Sequence, residues 1–389
     1  MDFQLSDEHL ALRETLRTFV DREIRPVARE WEQSGRYPGE IVEGLRELGL
    51  FGLTVPEEHG GLELDLVSMA LVFEELSRGW MGIAGVLGTH SLSCRMIAHH
   101  GTPEQRDRYL PAFATGERRT GLALTEPGAG SDLQGITTRA VRDGDHYVVT
   151  GTKTWITNAR HADPIPVLVK TDPQAEPAHR GMSVLLVATD QPGFQVSRDL
   201  PKLGYKGPET CEIVLDEVPV PIDALLGGEE GRGFQQVVSG LEVGRVNVAA
   251  RAVGVAQEAC DRAIHYAKER EAFGRPIGDF QAIQHKIADM ATEVQAARLL
   301  TYWAADKVDR GERADVEAGM AKLFASEVAL KASLESMRVH GGYGYSEEYE
   351  VARLYRDAPL MAIGEGTNEI QRTIIAKGLL RDHTWGGPM

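Results

Sequence analysis

The spacing of apolar residues changes twice along this chain of 389 residues, and that change constrains its fold more than any other feature. Up to about residue 118, apolar residues recur at the intervals of amphipathic helices. From about 119 to 230 they gather in short runs such as IPVLVK and MSVLLVA, which are separated by Asp, Pro and Gly turns and predict strands. The helical interval returns from residue 231 onwards. This order predicts a mainly α protein with a β-domain at its centre.

We therefore expect three domains. An all-α domain covers 1–118, a middle antiparallel β-domain covers 119–230, and a C-terminal four-helix bundle covers 231–389. Ser6, which acidic residues follow, is the predicted N-cap of the first helix. The last domain has long helical runs with short breaks, which are typical of an antiparallel bundle.

Composition argues against several classes of partner. The 42 Lys and Arg residues against 58 Asp and Glu give a net charge of −16, which disfavours nucleic acid and anionic membranes. No apolar run approaches the ~20 residues of a membrane span. The first residues, MDFQLSDEHL, lack the basic and apolar segments of a targeting signal. Cys94, Cys211 and Cys260 form no CxxC pair, so we expect free thiols, a cytoplasmic location and no structural metal.

Several familiar catalytic motifs are absent from the sequence. It contains no HExxH, no GxxxxGK[ST] and no GxSxG, which argues against zinc hydrolysis, a P-loop and a Ser/His/Asp hydrolase. A dinucleotide-binding GxGxxG would need glycine where the sequence has Leu133, Gln236 and Glu347. A Rossmann NAD site therefore has no support.

The stretch 337–377 carries the strongest chemical signal. It holds two glycine-rich breaks, HGGYG at 340–344 and GEGT at 364–367, and a helical run follows the second. Glycines on both sides of Glu365 let the backbone approach a ligand closely, and the start of the next helix offers unpaired N–H donors. Glu365 could take a proton while the backbone binds a developing enolate oxygen. The alternative is a solvated turn residue that favours a helix start.

Two places in the β-domain also suggest a ligand site. In LTEPGAGSD at 124–132, glycines and a hydroxyl could present N–H groups to a polar ring or a phosphate, although an ordinary loop would look the same. Residues 146–157 predict a hairpin around Gly151. Trp155 and Thr157 stand two residues apart, so they would face a flat ligand from one side of a strand. Core or cross-strand packing of Trp155 is the alternative.

Four segments together resemble one family. LTEPGAGSD, KTWITN, EREAFGRPIGDFQ, and HGGYG with GEGTNEIQR occur in the order and spacing of the acyl-CoA dehydrogenases, and the resemblance covers nearly the whole chain. The sequence LEVGR at 241–245 is similar to the matching segment of short-chain and bacterial members. The resemblance implies the three-domain fold, a homotetramer, FAD as cofactor and an acyl-CoA substrate, as in fatty-acid β-oxidation. It also implies an electron-transferring flavoprotein as the electron acceptor.

The same resemblance implies roles for single residues. Glu365 matches the catalytic base of the family. Some members carry the base at the position of Gly244 instead, so Glu365 is the remaining candidate here. The Thr125 and Thr157 hydroxyls are implied to lie near N5 and the pyrimidine edge of the flavin.

The implied binding residues come from the β-domain and the C-terminal helices. The resemblance implies that Arg270, Phe273 and Gln281, with 338–342, contact the FAD of a neighbouring subunit. The implied cofactor-binding residues are Leu122, Leu124, Thr125, Gly130, Ser131, Trp155, Ile156, Thr157, Arg270, Phe273, Phe280, Gln281, Arg338, Val339, Gly341, Gly342, Thr367 and Glu369. The implied substrate-binding residues are Ser131, Leu241, Glu242, Arg245 and Gly366.

The implied reaction is dehydrogenation of an acyl-CoA to the trans-2-enoyl-CoA. Glu365 removes the α-proton while the β-hydrogen leaves as hydride to flavin N5. Gly364 and Leu122 differ from the aromatic residues of medium-chain members and alter the wall near the acyl chain, so chain length cannot be taken from that subgroup. Short or branched acyl groups are the expectation. Three alternatives stay open: a nitroalkane oxidase of the same fold, an acyl-CoA oxidase, and a flavin-binding relative without turnover. The aspartate base of the family's nitroalkane oxidases argues against the first.

Overall fold

The computed structural model describes residues 4–381, so the domain limits expected at residues 1 and 389 lie outside the described residues. Along the described chain a helical block precedes a sheet, and a second helical block follows it. The predicted order of helical and extended segments is confirmed.

The first block is helical from residue 7 to residue 114. Its helices are α1 Asp7–Phe19, α2 Arg25–Ser34, α3 Gly39–Glu47, α4 Leu66–His100 and α5 Pro103–Ala114. Ser6 accepts a hydrogen bond from the His9 N–H and caps α1, as predicted. A π-helical turn, Val20–Ile24, joins α1 to α2. Non-helical backbone at Trp80 interrupts α4 and divides it into two segments.

The middle of the chain forms a mixed sheet. Its strands are β1 Arg139–Asp143, β2 His146–Thr157, β3 Ile165–Lys170, β4 Met182–Val187, β5 Phe194–Val196 and β6 Thr210–Pro221, in the spatial order β4-β3-β1-β2-β6-β5. Neighbouring strands are antiparallel except β1 and β3, which are parallel at Arg139 and Lys170. A purely antiparallel domain was therefore the wrong expectation for this pair. Since β6 occupies the other edge of β2, β3 pairs with the free edge of β1.

A single bulged strand replaces the hairpin predicted around Gly151. β2 continues through this residue and pairs with β6 on both sides of it, with a shift of register. A Cβ on Gly151 would lie 2.7 Å from the Thr138 Cα. Glycine is therefore required by the close approach of another chain segment, and not by a turn.

A second bulge in β2 changes the expected relation of Trp155 and Thr157. The register shifts between Lys153 and Ile156, and Trp155 has a φ of 63°. The regular two-residue alternation on which their pairing was predicted does not hold across such a bulge.

The second helical block is built around α8. Its helices are α6 Gly233–Glu269, α7 Gln281–Asp309, α8 Asp315–His340, α9 Glu350–Ile363 and α10 Asn368–Arg381, and a hairpin of β7 Glu271–Ala272 and β8 Arg275–Pro276 separates α6 from α7. α8 packs against α6, α7, α9 and α10. Ala318, Ala321, Ala325 and Ala329 on α8 are fully buried, so these helices approach α8 closely.

The apolar core has two clusters, and α4 belongs to both. One cluster lies among the helices and includes Phe73 and Trp80, whereas the other covers the sheet and includes Ile97 and Val167. The helix α4 therefore holds the sheet against the helical blocks. Across residues 4–381, no helix combines the length and apolarity needed to cross a bilayer.

The three cysteines are free, as predicted, and the structure shows that all three are also buried. Burial raises the pKa of the Cys94 thiol strongly, and it raises the pKa of Cys211 to about 12 and that of Cys260 to about 11. All three thiols are therefore protonated at neutral pH.

Candidate active site

Glu365 lies between α9 and α10 in a strained backbone conformation. Its φ is 54° and that of Gly366 is 82°, so two successive residues occupy the left-handed region. The Glu365 carboxyl lies against α6, where a Cβ added to Gly244 would be 3.0 Å from Oε2. The missing side chain of Gly244 therefore leaves room for the carboxyl. Glu365 is only partly exposed, and it is not the solvated turn residue that was the alternative.

Side chains of α8 and α10 hold the segment that carries Glu365. The fully buried Lys322 donates to the Gly366 carbonyl at 2.8 Å and to Asn368 Oδ1 at 2.9 Å. Gln371 donates to the Glu365 carbonyl at 3.3 Å. In the described chain the Glu365 backbone N–H has no acceptor, so it can donate to a ligand.

Burial and the charges around Glu365 act on its pKa in opposite directions. Burial raises the pKa of the carboxyl above its ordinary value, while positive charges on Arg251, Arg245 and Lys322 lower it by a smaller amount. Within residues 4–381 no ion pair joins Glu365 to a cation, so its oxygens remain available. Because its pKa is raised, Glu365 is a stronger base than a solvated glutamate.

Tyr205 connects Glu365 with the end of β2. Its side chain lies close to Thr157 and interacts electrostatically with Glu365. Its backbone N–H donates to Asp357 Oδ1 on α9 at 2.6 Å. Gly85 on α4 leaves room for the phenol, since a Cβ there would lie 1.8 Å from the Tyr205 hydroxyl. Two residues that the sequence predicted separately, Thr157 and Glu365, therefore converge on one phenol.

A buried ion pair fixes the loop 122–131 beside β2. Lys153 donates to Glu126 Oε1 at 2.9 Å and to the Leu124 carbonyl at the same distance. Burial by itself raises the pKa of Glu126, but the hydrogen bond and charge of Lys153, together with hydrogen bonds from Thr137 and Thr138, outweigh this effect and lower the pKa to about 2. A backbone N–H of β2 also donates to the Thr125 carbonyl at 2.9 Å.

The surface beside this loop fits a flat ring. Trp155 is 57% exposed, whereas the neighbouring Ile156 and Thr157 are buried. A Cβ on Gly128 or Gly130 would meet no atom within 4 Å. An exposed indole next to open glycine backbone suits the flavin ring of FAD, which the resemblance implies here. Leu122, Leu124 and Thr125 are partly exposed within the same loop.

A second group of implied cofactor residues lies around the β7–β8 hairpin. The Arg270 guanidinium carbon lies 5.9 Å from the centroid of the Tyr343 ring, which brings the hairpin next to 341–342. The rings of Phe273 and Phe280 are 6.0 Å apart, and Phe273 is 95% exposed. This group is open to solvent in the single chain, as a contact with a neighbouring subunit would require.

The implied substrate residues Leu241, Glu242 and Arg245 lie within one turn of α6. Arg245 is buried, and its Nε has no partner among the described residues. The charge of the partly buried Glu242 opposes the fall in the pKa of Arg245 that burial causes. Arg245 directly follows Gly244, and its charge acts on the pKa of Glu365, so Arg245 lies near the Glu365 carboxyl.

The remaining implied residues lie near the ends of α8 and α10. Arg338 forms an ion pair with Glu335, so its charge is already partly compensated. Val339 is buried. Thr367 caps α10 by accepting from the Ile370 N–H at 3.4 Å. Arg338 and Glu369 are exposed, and so are Ser131 in the loop 122–131 and Gln281 at the start of α7.

Sequence reasoning missed Lys153, Tyr205, Arg251 and Lys322. Lys322 stands among alanines on the buried face of α8, and Arg251 stands within the apolar run VNVAARAVGVA. A charge inside an apolar pattern was the signal available for these two residues. Tyr205 had no local signal, because its role depends on contacts with distant parts of the chain.

The sequence matches one family of proteins along most of its length. Residues 6–117 match the N-terminal domain of acyl-CoA dehydrogenases, 121–218 match the middle domain, and 231–380 match the C-terminal domain.

Individual relatives show the same similarity. A probable acyl-CoA dehydrogenase of Bacillus subtilis is 43% identical over 383 residues, which cover 98% of this chain and 100% of that protein. The CarC subunit of the caffeyl-CoA reductase–Etf complex of Acetobacterium woodii is 40% identical over 379 residues, with 97% and 99% covered. The solved structure of butyryl-CoA dehydrogenase from Megasphaera elsdenii has a TM-score of 0.95 and 37% identity, with 98% and 100% covered.

Proposed function

This chain belongs to the acyl-CoA dehydrogenase family of FAD-dependent oxidoreductases, and from that premise we propose that Glu365 is the base of its reaction. The observation that supports this role most directly is the packing of the Glu365 carboxyl against Gly244. A carboxylate there has a raised pKa and no ion-pair partner among the described residues. The Glu365 backbone N–H, next to this carboxylate, has no hydrogen-bond acceptor among the described residues.

Glu365 would act on the thioester in two ways. Its carboxylate takes the α-proton, while its backbone N–H donates to the thioester oxygen, where negative charge develops. Lys322 and Gln371 hold the carbonyl groups of this segment, so the N–H and the carboxylate keep a fixed relation. FAD supplies, when bound, the acceptor for the β-hydride.

The proposed flavin site lies between the loop 122–131 and β2. Exposed Trp155 would cover the ring, and Thr157 would reach its edge with the Tyr205 phenol beside it. The Lys153–Glu126 ion pair would keep the loop in register with the strand. Arg245 and Glu242 would bind the CoA arm on the far side of the base.

A homotetramer and an electron-transferring flavoprotein complete the proposal. The hairpin of Arg270 and Phe273 is open to solvent, which supports its contact with a cofactor in another protomer. The relative from Acetobacterium woodii is a subunit of a reductase–Etf complex, which supports a flavoprotein as electron acceptor. The acyl groups in relatives' names range from butyryl to caffeyl, so family membership leaves the acyl group open.

Glu365→Gln tests the role of the base. We expect the variant to keep its fold and its yellow flavin band but to lose about 10³-fold in turnover, because an amide cannot take the proton. The measurement is anaerobic bleaching of the flavin band by acyl-CoAs, and the exposed Glu347→Gln is the matched control. Normal bleaching by Glu365→Gln would refute the assignment.

A further inference from the structure

Arg251 is a buried cation without an anionic partner. It is 8% exposed, yet no carboxylate within residues 4–381 forms an ion pair with it. Its Nη2 donates to Met81 Sδ at 2.8 Å, and its Nε has no acceptor among the described residues. A thioether is a weak acceptor, so the guanidinium keeps most of its capacity to bind an anion.

The position of Arg251 on α6 relates it to the base. Gly244 packs against the Glu365 carboxyl, and Arg251 lies seven residues further on, which is about 10 Å along a helix axis. The charge of Arg251 lowers the pKa of Glu365, although the two groups form no ion pair. The guanidinium therefore lies within electrostatic reach of the Glu365 carboxyl without forming an ion pair with it among the described residues.

Polar groups lie near the Arg251 guanidinium. Asn247, one turn before Arg251, is buried, and its Oδ1 has no partner among the described residues. The Arg251 guanidinium carbon lies 5.2 Å from the centroid of the Tyr205 ring. On the facing helix α4, Gly88 leaves room for the Asn247 carboxamide and Gly85 leaves room for the Tyr205 phenol. A hydrocarbon tail would leave these buried polar groups unsatisfied.

We propose that the acyl group of the substrate ends in a carboxylate, and that Arg251 binds this carboxylate. The substrate class is a short dicarboxylic acyl-CoA, such as a succinyl, glutaryl or adipyl thioester. A guanidinium binds a carboxylate through paired hydrogen bonds, and the unpartnered Nε would supply one of them. The proposal rests on the proposed dehydrogenation: the α-proton goes to Glu365 and the β-hydride to FAD, while the distal carboxylate does not react.

Binding at Arg251 also has a consequence for the base. A substrate carboxylate would neutralise one of the three cations that lower the pKa of Glu365, the others being Arg245 and Lys322. Glu365 would therefore become a stronger base when a dicarboxylic thioester is bound than when a neutral one is bound.

Comparison of matched substrates tests the proposal. Bleaching rates of the FAD-loaded protein are measured anaerobically with glutaryl-CoA, its monomethyl ester, butyryl-CoA and the succinyl and adipyl thioesters. We expect one dicarboxylic thioester to react at least about 100-fold faster than the neutral thioesters. Arg251→Gln should abolish this preference by slowing the dicarboxylic thioester far more than butyryl-CoA, whereas Arg251→Lys should keep part of it. Arg310→Gln, which changes an exposed arginine, should behave as the wild type.

The possible results separate this proposal from the proposed function. Faster reaction of butyryl-CoA than of every dicarboxylic thioester in the wild type would overturn the role of Arg251 and leave the dehydrogenation intact. Equal losses for glutaryl-CoA and butyryl-CoA in Arg251→Gln would also overturn it. Absence of bleaching by every thioester, with FAD bound, would overturn both proposals. The wild-type comparison does not depend on the folding of any variant.

Discussion

Single buried charges in this protein differ in whether they have a partner. Lys153 pairs with Glu126 inside the β-domain, and this pair fixes a loop. Arg245 and Arg251 on α6 have no carboxylate partner within the described chain, and both act on the pKa of Glu365. Paired charges hold backbone in place, whereas unpaired ones mark where a ligand is expected.

Removal of the Glu126 charge should destabilise the protein. Glu126→Gln leaves the ammonium of Lys153 buried without a counter-charge, so we expect the free energy of unfolding at pH 7 to fall by about 3 kcal/mol. The measurement is urea unfolding followed by circular dichroism. Glu212→Gln, on the neighbouring strand and without an ion pair, is the control and should change little.

The same pair predicts a pH dependence. Because the folded pKa of Glu126 is about 2 and the ordinary value is 4.5, its stabilisation is fully present above pH 4.5 and is lost as pH falls towards 2. The difference in stability between the wild type and Glu126→Gln should therefore shrink in that interval. A difference that stays constant down to pH 2 would contradict the assigned pKa.

At the scale of elements, α6 brings several functions to one face. Gly244 receives the carboxyl of the proposed base, Arg245 adjoins the proposed CoA arm, and Arg251 adjoins the proposed far end of the acyl group. Gly244→Ala would put a methyl group 3.0 Å from Glu365 Oε2, so the carboxyl must move. We expect flavin content to be unchanged and kcat to fall by about 10-fold, since small displacements of a catalytic group are costly.

Gly240→Ala provides the control for this helix. Its Cβ would meet only the end of the flexible Leu92 side chain, at 3.2 Å. The two variants add the same methyl group one turn apart. A similar loss of kcat in both would show that helix packing, and not the carboxyl, is responsible.

Local patterns predict some elements and not others. The cap at Ser6 follows from residues adjacent in sequence, and it is found. The hairpin at Gly151 was predicted wrongly, because the glycine is required by Thr138, which lies on another segment. Contacts of that kind leave no periodic pattern in the sequence.

In the candidate site, too, some residues were predicted from local sequence and others depend on contacts between distant segments. Glu365 and Thr157 stand in short motifs, and both the local sequence and the family resemblance predict a role for them. Tyr205 joins these two residues only because the chain brings 205 next to α4 and α9, and Asp357 holds its backbone there. Such convergence depends on tertiary packing, so no single-sequence pattern predicts it.

At the scale of the whole molecule, the hairpin between α6 and α7 is the most conspicuous exposed apolar feature. Phe273 at its tip is 95% exposed and has a φ of 54°. Large exposed apolar side chains mark surfaces for association. If another protomer covers this tip and the cofactor lies there, assembly and flavin binding are linked.

Phe273→Asp should therefore weaken both assembly and flavin binding. We expect a smaller species in light scattering and a lower ratio of flavin to protein absorbance, because a charge would be buried at the contact. Val141→Asp, which changes a residue that is 57% exposed on β1, is the control. An intact oligomer with full flavin content in Phe273→Asp would contradict the proposed subunit contact.

The burial of all three cysteines has a practical consequence. Cys94, Cys211 and Cys260 are buried and protonated at neutral pH. We therefore expect none of the native thiols to react with a maleimide in the folded protein. A single cysteine introduced on the surface would carry a fluorescent or spin label alone. Distances between such labels on different protomers could then be measured without first replacing any native residue.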